Sequence, residues 1–120
     1  MKEYGFEKLE IWNLGVNLVV RIYASTSAFP ENERFGLTSQ IRRAATSIPA
    51  NIAEGNSRLG SKDKSRFIQI AYGSCIEVFN HILVAQKLGY ISEQDLNQYR
   101  LDINELTNKI NAFFKMSKEK

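Results

Sequence analysis

The stretch LTSQIRRAATSIPANIAEG, residues 37–55, decides the fold class of this chain. Its apolar residues recur every three or four positions, the spacing that puts side chains on one face of an α-helix. They are Leu37, Ile41, Ala44, Ala45, Ile48 and Ile52. Because proline has no N–H to donate to the carbonyl four residues back, the pattern predicts a helix kinked at Pro49. Gly55 is expected to end the helix.

The segment before this helix carries another apolar stripe of helical spacing. Its members are Leu9, Trp12, Val16, Val19 and Tyr23. This first helix is expected to stop near Ser27, because Phe29 precedes Pro30 and the residue before a proline avoids the helical conformation. On this stripe Trp12 is predicted to be largely buried.

Two more helices are predicted after residue 60. Ser61 is the expected N-cap of a third helix that runs to Leu88 and is closed by Gly89. Residues 92–95, Ser-Glu-Gln-Asp, resemble a capping box at the start of a fourth helix. The inward face of that helix is expected to hold Leu96, Tyr99, Ile103, Leu106, Ile110 and Phe113.

No segment alternates in the manner of a β-strand, so the sequence predicts an all-α protein. Four helices joined by short loops are typical of an up-and-down antiparallel four-helix bundle. Residues 1–120 are predicted to form this bundle as a single domain, with the second helix kinked at Pro49 and a charged, frayed tail over residues 116–120.

The third helix is apolar over more than half of its circumference. A helix that is covered on one side needs an apolar arc of only about 100°. Two interpretations therefore stay open: a central helix of a monomer, or a helix that also lines a subunit interface. The polar residues form one narrow stripe, Arg66, Gln69, Gly73, Glu77 and Asn80.

The composition sets limits on the compartment and on the chemistry. A single cysteine, Cys75, excludes an internal disulfide and indicates a reducing compartment. The N-terminus lacks the apolar stretch of a secretory signal, and no apolar run approaches the ~20 residues of a membrane span. A cytoplasmic protein with no membrane partner is therefore expected.

No combination of residues predicts an enzyme active site. His81 is the only histidine, and with Glu77 it supplies too few ligands for a metal centre. On a helix the Cys75 and His81 side chains would point about 120° apart, which does not suit Cys–His catalysis. We expect no catalytic residues, no metal site, no cofactor and no enzymatic activity.

Positive charge is concentrated in the middle of the chain. Residues 34–66 hold seven basic and two acidic residues, a net charge of +5 compared with +3 for the whole chain. Arginine suits bidentate contacts with phosphate or carboxylate, so this region is a candidate nucleic-acid footprint. The alternative is a solvated face with internal ion pairs, for example Arg43 with Glu54. The candidate nucleic-acid-binding residues are Arg42, Arg43, Arg58, Lys62, Lys64 and Arg66.

The geometry of the second helix indicates how the first two candidates are presented. Arg42 and Arg43 project about 100° apart, and both point away from the face that carries Ile41 and Ile48. We therefore expect both arginines to face solvent, and expect their joint replacement by alanine to leave the helical fold intact.

Residues 29–55, FPENERFGLTSQIRRAATSIPANIAEG, form a long and specific motif. Together with residues 6–12, 71–74 and 88–90, this motif closely resembles a bacterial four-helix-bundle family first noticed as open reading frames in the intervening sequences of 23S ribosomal RNA genes. The resemblance covers roughly residues 6–115 and implies a four-helix bundle. No catalytic residues are established for that family, so none are carried over.

The chain is also similar, more distantly, to the accessory variability protein of diversity-generating retroelements, a pentameric barrel that binds nucleic acid and a reverse transcriptase. This resemblance implies a homo-oligomer, and a pentamer in particular. The sequence therefore predicts a non-enzymatic oligomer that binds RNA or DNA through phosphate contacts. The alternative is a protein-interaction scaffold without nucleic-acid binding, whose arginines pair with acidic groups on a protein partner or a neighbouring subunit.

Overall fold

A computed structural model describes residues 1–118 and confirms the all-α prediction. Across these residues there is no β-strand, and two short 3-10 helices cover Gly5–Lys8 and Glu31–Glu33. Residues 119 and 120, which the sequence predicts to belong to the domain and its frayed tail, lie outside the described residues. The four α-helices are α1 Glu10–Thr26, α2 Leu37–Asn56, α3 Ser61–Lys87 and α4 Glu93–Lys118.

The four helices form the predicted up-and-down bundle. Each helix packs against the next one in sequence, and α1 also contacts α4. Because the connections are short, neighbouring helices run antiparallel. The start of α3 consequently lies beside the end of α4. We call this end, residues 56–66 and 113–118, the loop end.

The contact between α1 and α4 is the thinnest between neighbouring helices of the bundle, and ion pairs lie on it beside the buried ring of Tyr99. Arg21 on α1 forms an ion pair with Asp102 on α4. Lys109 Nζ lies 2.7 Å from Glu10 Oε2 and 3.2 Å from Glu105 Oε2. We call this contact the α1–α4 seam.

The core confirms the inward faces predicted for the second and fourth helices. Leu37 and Phe113, at the two ends of these faces, are half-buried, and every other predicted member is buried. The third helix, α3, is apolar and long enough to cross a membrane by length and composition alone. Its buried face, however, packs on α2 and α4 as the core helix of a bundle does.

The stripe predicted for the first helix is wrong by one position. The predicted residues are half-buried, except Tyr23, which is exposed. Trp12 is therefore half-buried, and the centre of its ring lies 5.3 Å from the centre of the Phe6 ring. A Cβ at Gly15 would lie 3.3 Å from Ile48 Cγ2, so α1 turns its glycine toward α2 and approaches closely. The buried residues of α1 are Ile11, Gly15, Leu18, Ile22 and Thr26.

The second helix passes through Pro49 without a break and continues beyond Gly55 to Asn56. The bend at Pro49 stays a prediction. Gly55 does not end the helix, contrary to expectation. A Cβ there would lie 3.0 Å from Phe67 Cβ and 3.2 Å from the carbonyl oxygen of Lys64, so glycine allows α2 and α3 to approach each other closely.

The predicted ends of the third and fourth helices are largely confirmed. Gly89 closes α3 with φ of +83°, and the Tyr90 N–H donates to the Ala85 carbonyl at 2.8 Å, as in a Schellman motif. Ser92 Oγ accepts a 3.0 Å hydrogen bond from the Asp95 N–H and caps α4. Ser61, however, is the first residue of α3, because the Gly60 carbonyl already accepts a helical hydrogen bond from the Lys64 N–H.

Candidate functional site

The structure divides the six candidate basic residues into two groups. Arg42 and Arg43 lie near the start of α2, whereas Arg58, Lys62, Lys64 and Arg66 surround the α2–α3 loop. Sixteen residues separate Arg42 from Arg58, which corresponds to about 24 Å along the helix axis. Within one chain, only the second group can share a ligand-sized site.

Arg42 is half-buried and engaged by the protein, so the expectation that it faces solvent is wrong. Its Nε donates to Thr26 Oγ1 at 2.8 Å, and its Nη2 donates to the Tyr23 carbonyl at 3.4 Å. Its guanidinium also lies 4.4 Å from the centre of the Tyr23 ring. The Tyr23 carbonyl already accepts a 3.1 Å hydrogen bond from the Ser27 N–H, so Arg42 adds a further contact there. A cation near the C-terminal end of α1 also interacts favourably with the helix dipole.

Arg43 is exposed and forms no ion pair with any residue in the described part of the chain. The expected pair of Arg43 with Glu54 does not form, because eleven residues place the two about 16 Å apart along α2. Glu54 Oε2 instead lies 3.1 Å from Arg58 Nη2, one helical turn further on.

The adjacent arginines should therefore respond differently to replacement. We expect Arg42→Ala to lower the free energy of unfolding by about 1 kcal/mol, because it removes hydrogen bonds from a charged donor at a partly exposed site. Arg43→Ala should change it by less than about 0.5 kcal/mol. Urea unfolding monitored by circular dichroism measures both, and equal effects would contradict the role given to Arg42.

At the loop end two arginines share one aromatic ring. The guanidinium carbons of Arg58 and Arg66 lie 4.7 Å and 5.3 Å from the centre of the Phe67 ring. Contacts of this kind orient a guanidinium while leaving its edge N–H groups available. The buried Nε of Arg58 has no hydrogen-bond partner among the described residues.

A groove of about 570 Å³ opens beside these residues, between the start of α3 and the end of α4. We call it the terminal groove. Three exposed cationic side chains line it, those of Lys62, Arg66 and Lys118, and Asp63 is the one carboxylate among its lining residues. The free N–H groups of the first turn of α3 add partial positive charge. This arrangement suits an anionic group such as a phosphate.

Lys118 was missed in the sequence because it lies far from the charged region along the chain. Local charge density cannot reveal a residue that only folding brings close. The predicted up-and-down topology did contain the signal, since antiparallel α3 and α4 place the end of one beside the start of the other.

The remaining reactive groups do not assemble into a catalytic arrangement within residues 1–118. Cys75 is fully buried, and burial raises the pKa of its thiol to about 12, so the nucleophilic thiolate is disfavoured. His81 Nε2 lies 3.4 Å from Glu77 Oε2. No cluster of three metal-ligating side chains is found across the described residues.

The fold and the loop end together define a class: a helical protein of four antiparallel α-helices with a basic groove at one end. The sequence model of the 23S rRNA-intervening sequence protein family matches residues 7–112. The chain therefore belongs to this family, which confirms the resemblance noted from residues 29–55.

A solved structure has the same fold. It is the crystal structure of a protein of unknown function from the S23 ribosomal protein family of Bacteroides thetaiotaomicron VPI-5482. The two structures superimpose with a TM-score of 0.79 and 23% sequence identity, over 88% of this chain and 98% of the other. A comparison with curated proteins finds no significant match.

Proposed function

We propose that this protein is a non-enzymatic homo-oligomer of the cytoplasm that binds RNA or DNA by contacting phosphates with its loop end. The observation that carries the proposal is the convergence of Lys62, Arg66 and Lys118 on one groove that holds a single carboxylate. Phosphate contacts by such clusters release counterions from the nucleic acid and supply much of the binding free energy.

Other basic side chains extend the charged surface around the terminal groove. Lys64 lines a neighbouring depression together with Ser61. Arg58 contacts the same Phe67 ring as Arg66, but its charge is paired with that of Glu54. Phosphate contacts position a nucleic acid without reading its bases, so this surface supports binding with little sequence preference.

The binding prediction is tested by removing two charges from the terminal groove. We expect the double variant Lys62→Ala/Arg66→Ala to bind structured RNA about tenfold more weakly than wild type. Loss of two phosphate contacts should also reduce the slope of log affinity against log salt by about 1.4 to 1.8. Fluorescence anisotropy with a labelled RNA hairpin, at two salt concentrations, measures both quantities.

The matched control removes the same charge at the opposite end of the bundle. Arg34 and Lys87 are both exposed and lie far from the terminal groove. The variant Arg34→Ala/Lys87→Ala should therefore bind nearly as wild type. Equal losses in both variants would contradict a localised site. Absence of wild-type binding at low salt would contradict the function and favour an interaction scaffold for an acidic protein partner.

The oligomeric part of the proposal is supported by apolar side chains exposed on one flank of α3. Ile70, Val84 and Leu88 are 45%, 41% and 53% exposed. Their spacing places the three within about 40° of one another on the helix. A stripe of this kind, exposed in an isolated subunit, is typical of a protein–protein contact. The pentameric state is proposed from the distant resemblance alone.

The assembly is tested by measuring mass. Light scattering of the wild-type protein at micromolar concentration should give a multiple of the 13.7 kDa subunit, fivefold for a pentamer. The variant Ile70→Lys should shift the mass toward the subunit, because it buries a charge in the proposed contact. A wild-type mass of one subunit, with a melting temperature that is unchanged on dilution, would contradict assembly.

A further inference from the structure

The terminal groove does not stop at the loop end. It continues along the surface between α3 and α4 through two further depressions, of about 250 and 270 Å³. The first shares Gln69 and Phe114 with the terminal groove, and the second shares Tyr72 with the first. The three depressions therefore follow one another between α3 and α4, and we call them together the α3–α4 groove.

The length and charge of this groove suit an extended polyanion. From Lys62 to Phe79 it follows α3 for seventeen residues, or about 26 Å. Cationic side chains lie toward both ends: Lys62, Arg66 and Lys118 at the loop end and Arg100 at the far end. Asp63 is the one acidic residue among those that line the three depressions.

Between these cations the groove is lined by aromatic rings. The Arg100 guanidinium carbon lies 4.9 Å from the centre of the Phe79 ring, and Lys118 Nζ lies 6.0 Å from that of Phe114. Tyr72, between the two, is 40% exposed. Phe79 and Phe114 are half-buried, so Tyr72 is the ring that is accessible for stacking. Proteins hold unpaired bases with aromatic rings placed in positively charged grooves.

Amide side chains alternate with these rings. Gln69, Asn111 and Asn104 line successive parts of the groove, and each presents both a donor and an acceptor. Groups of this kind can pair with whichever edge an unpaired base offers. In a duplex those edges and the base faces are already occupied by pairing and stacking.

We propose that the α3–α4 groove binds a single-stranded segment of nucleic acid, with phosphates at its cationic ends and a base stacked on Tyr72. The inference rests on the proposed function and assigns the ligand class and the surface. A second copy of this chain is the other occupant to consider. The excess of cations favours a polyanion, because burying them against a like-charged copy would be costly.

The test uses the full-length protein and a fluorescein-labelled oligouridylate of about ten nucleotides, with a duplex of the same length as the comparison. We expect the single strand to bind more tightly than the duplex. Tyr72→Ala should weaken single-strand binding about tenfold, because it removes a stacking surface, whereas Tyr72→Phe should keep wild-type affinity. Leu101→Ala is the matched control, since Leu101 is 65% exposed on α4 and lines none of the three depressions.

Arg100→Ala tests the far end of the groove and stands in for Tyr72→Ala if that variant does not fold by circular dichroism. It should weaken single-strand binding and reduce the salt slope by about 0.7, the value for one lost phosphate contact. Weaker binding by Arg100→Ala cannot be explained by the loop-end site, since Arg100 lies at the opposite end of the groove from Lys62.

The outcomes separate the groove from the wider function. If wild type binds neither probe, the proposed function itself fails, and the groove proposal with it. If wild type binds but the Tyr72→Ala and Arg100→Ala variants match Leu101→Ala, or the duplex binds as tightly as the strand, the groove proposal alone is overturned. A Tyr72→Ala variant with altered mass by light scattering would show a subunit contact and would also overturn it.

Discussion

Tyr99→Ala is expected to lower the free energy of unfolding by about 3 to 5 kcal/mol, the usual range for truncating a large buried aromatic residue. Tyr99 is fully buried at the α1–α4 seam. Its hydroxyl donates to the Arg21 carbonyl at 2.9 Å and accepts from Ser25 Oγ at 2.6 Å. The Arg21 guanidinium carbon lies 4.3 Å from the ring centre, so truncation removes packing, hydrogen bonding and a cation–π contact together.

A more conservative variant separates these contributions. Tyr99→Phe keeps the ring and its cation–π contact with Arg21 but removes the hydroxyl that bonds Ser25 Oγ and the Arg21 carbonyl, which should cost about 0.5 to 1.5 kcal/mol. Urea unfolding gives both values. A Tyr99→Ala effect no larger than that of Tyr99→Phe would show that the ring contributes little and would contradict the packing argument.

Gly55→Ala is expected to destabilise the bundle by about 1 to 3 kcal/mol through overpacking. The new methyl group would meet Phe67 Cβ at 3.0 Å and the Lys64 carbonyl oxygen at 3.2 Å. Neither atom belongs to the far end of a flexible side chain, so α2 and α3 must move apart. The loss should outweigh the gain in helix propensity from replacing a glycine.

Gly73→Ala is the matched control for this prediction. Gly73 also lies inside a helix, but no atom outside its own helix backbone lies within 4 Å of an added Cβ. Here alanine should stabilise the protein by about 0.5 to 1 kcal/mol. Thermal unfolding of the two variants should therefore shift in opposite directions, and a shift of the same sign in both would contradict the assigned role of Gly55.

The sequence predicted the number, the order and most of the ends of the helices, because these depend on local signals. The spacing of apolar residues is a local signal, as is the cap that the Ser92 hydroxyl forms at the start of α4. The positive φ that Gly89 adopts at the end of α3 is likewise set by residues a few positions away. The inward faces of α2 and α4 were predicted correctly for the same reason, since each has one apolar stripe and polar residues opposite.

The first helix was harder because it carries two neighbouring apolar stripes. The period of Trp12, Val16 and Val19 is as regular as that of Ile11, Leu18 and Ile22. Choosing between them requires knowing that Gly15 faces Ile48, which is a contact between distant parts of the chain. The role of Gly55 also depends on a contact between distant parts of the chain. The sequence predicted that Gly55 ends the helix, whereas in the structure it allows α2 and α3 to pack closely.

The candidate site was predicted in part. Counting charge along the sequence placed Arg42 with Arg66, although α2 separates them in space, and overlooked Lys118, which α4 brings back. A count of charges along the sequence ignores that α2 holds Arg42 about 24 Å from the loop end, and that α4 returns Lys118 to that end. The predicted antiparallel topology is enough to place Lys118 near the start of α3. The hydrogen bond from Arg42 to Thr26, in contrast, depends on side-chain positions that only the structure gives.

The small extent of the α1–α4 seam and the ion pairs on it have a consequence for how the bundle opens. The contacts of α1 with α2, of α2 with α3 and of α3 with α4 are more extensive than that of α1 with α4. The α1–α2 pair can therefore separate from the α3–α4 pair at the seam while the α2–α3 contact stays intact. Subglobal opening should begin where the contact between helices is least extensive. Because ions screen the charges of Arg21, Asp102 and Lys109, added salt should favour separation of α1 from α4 without separating α2 from α3. Backbone amides of α1 and α4 along the seam should then exchange with solvent before those of α2 and α3.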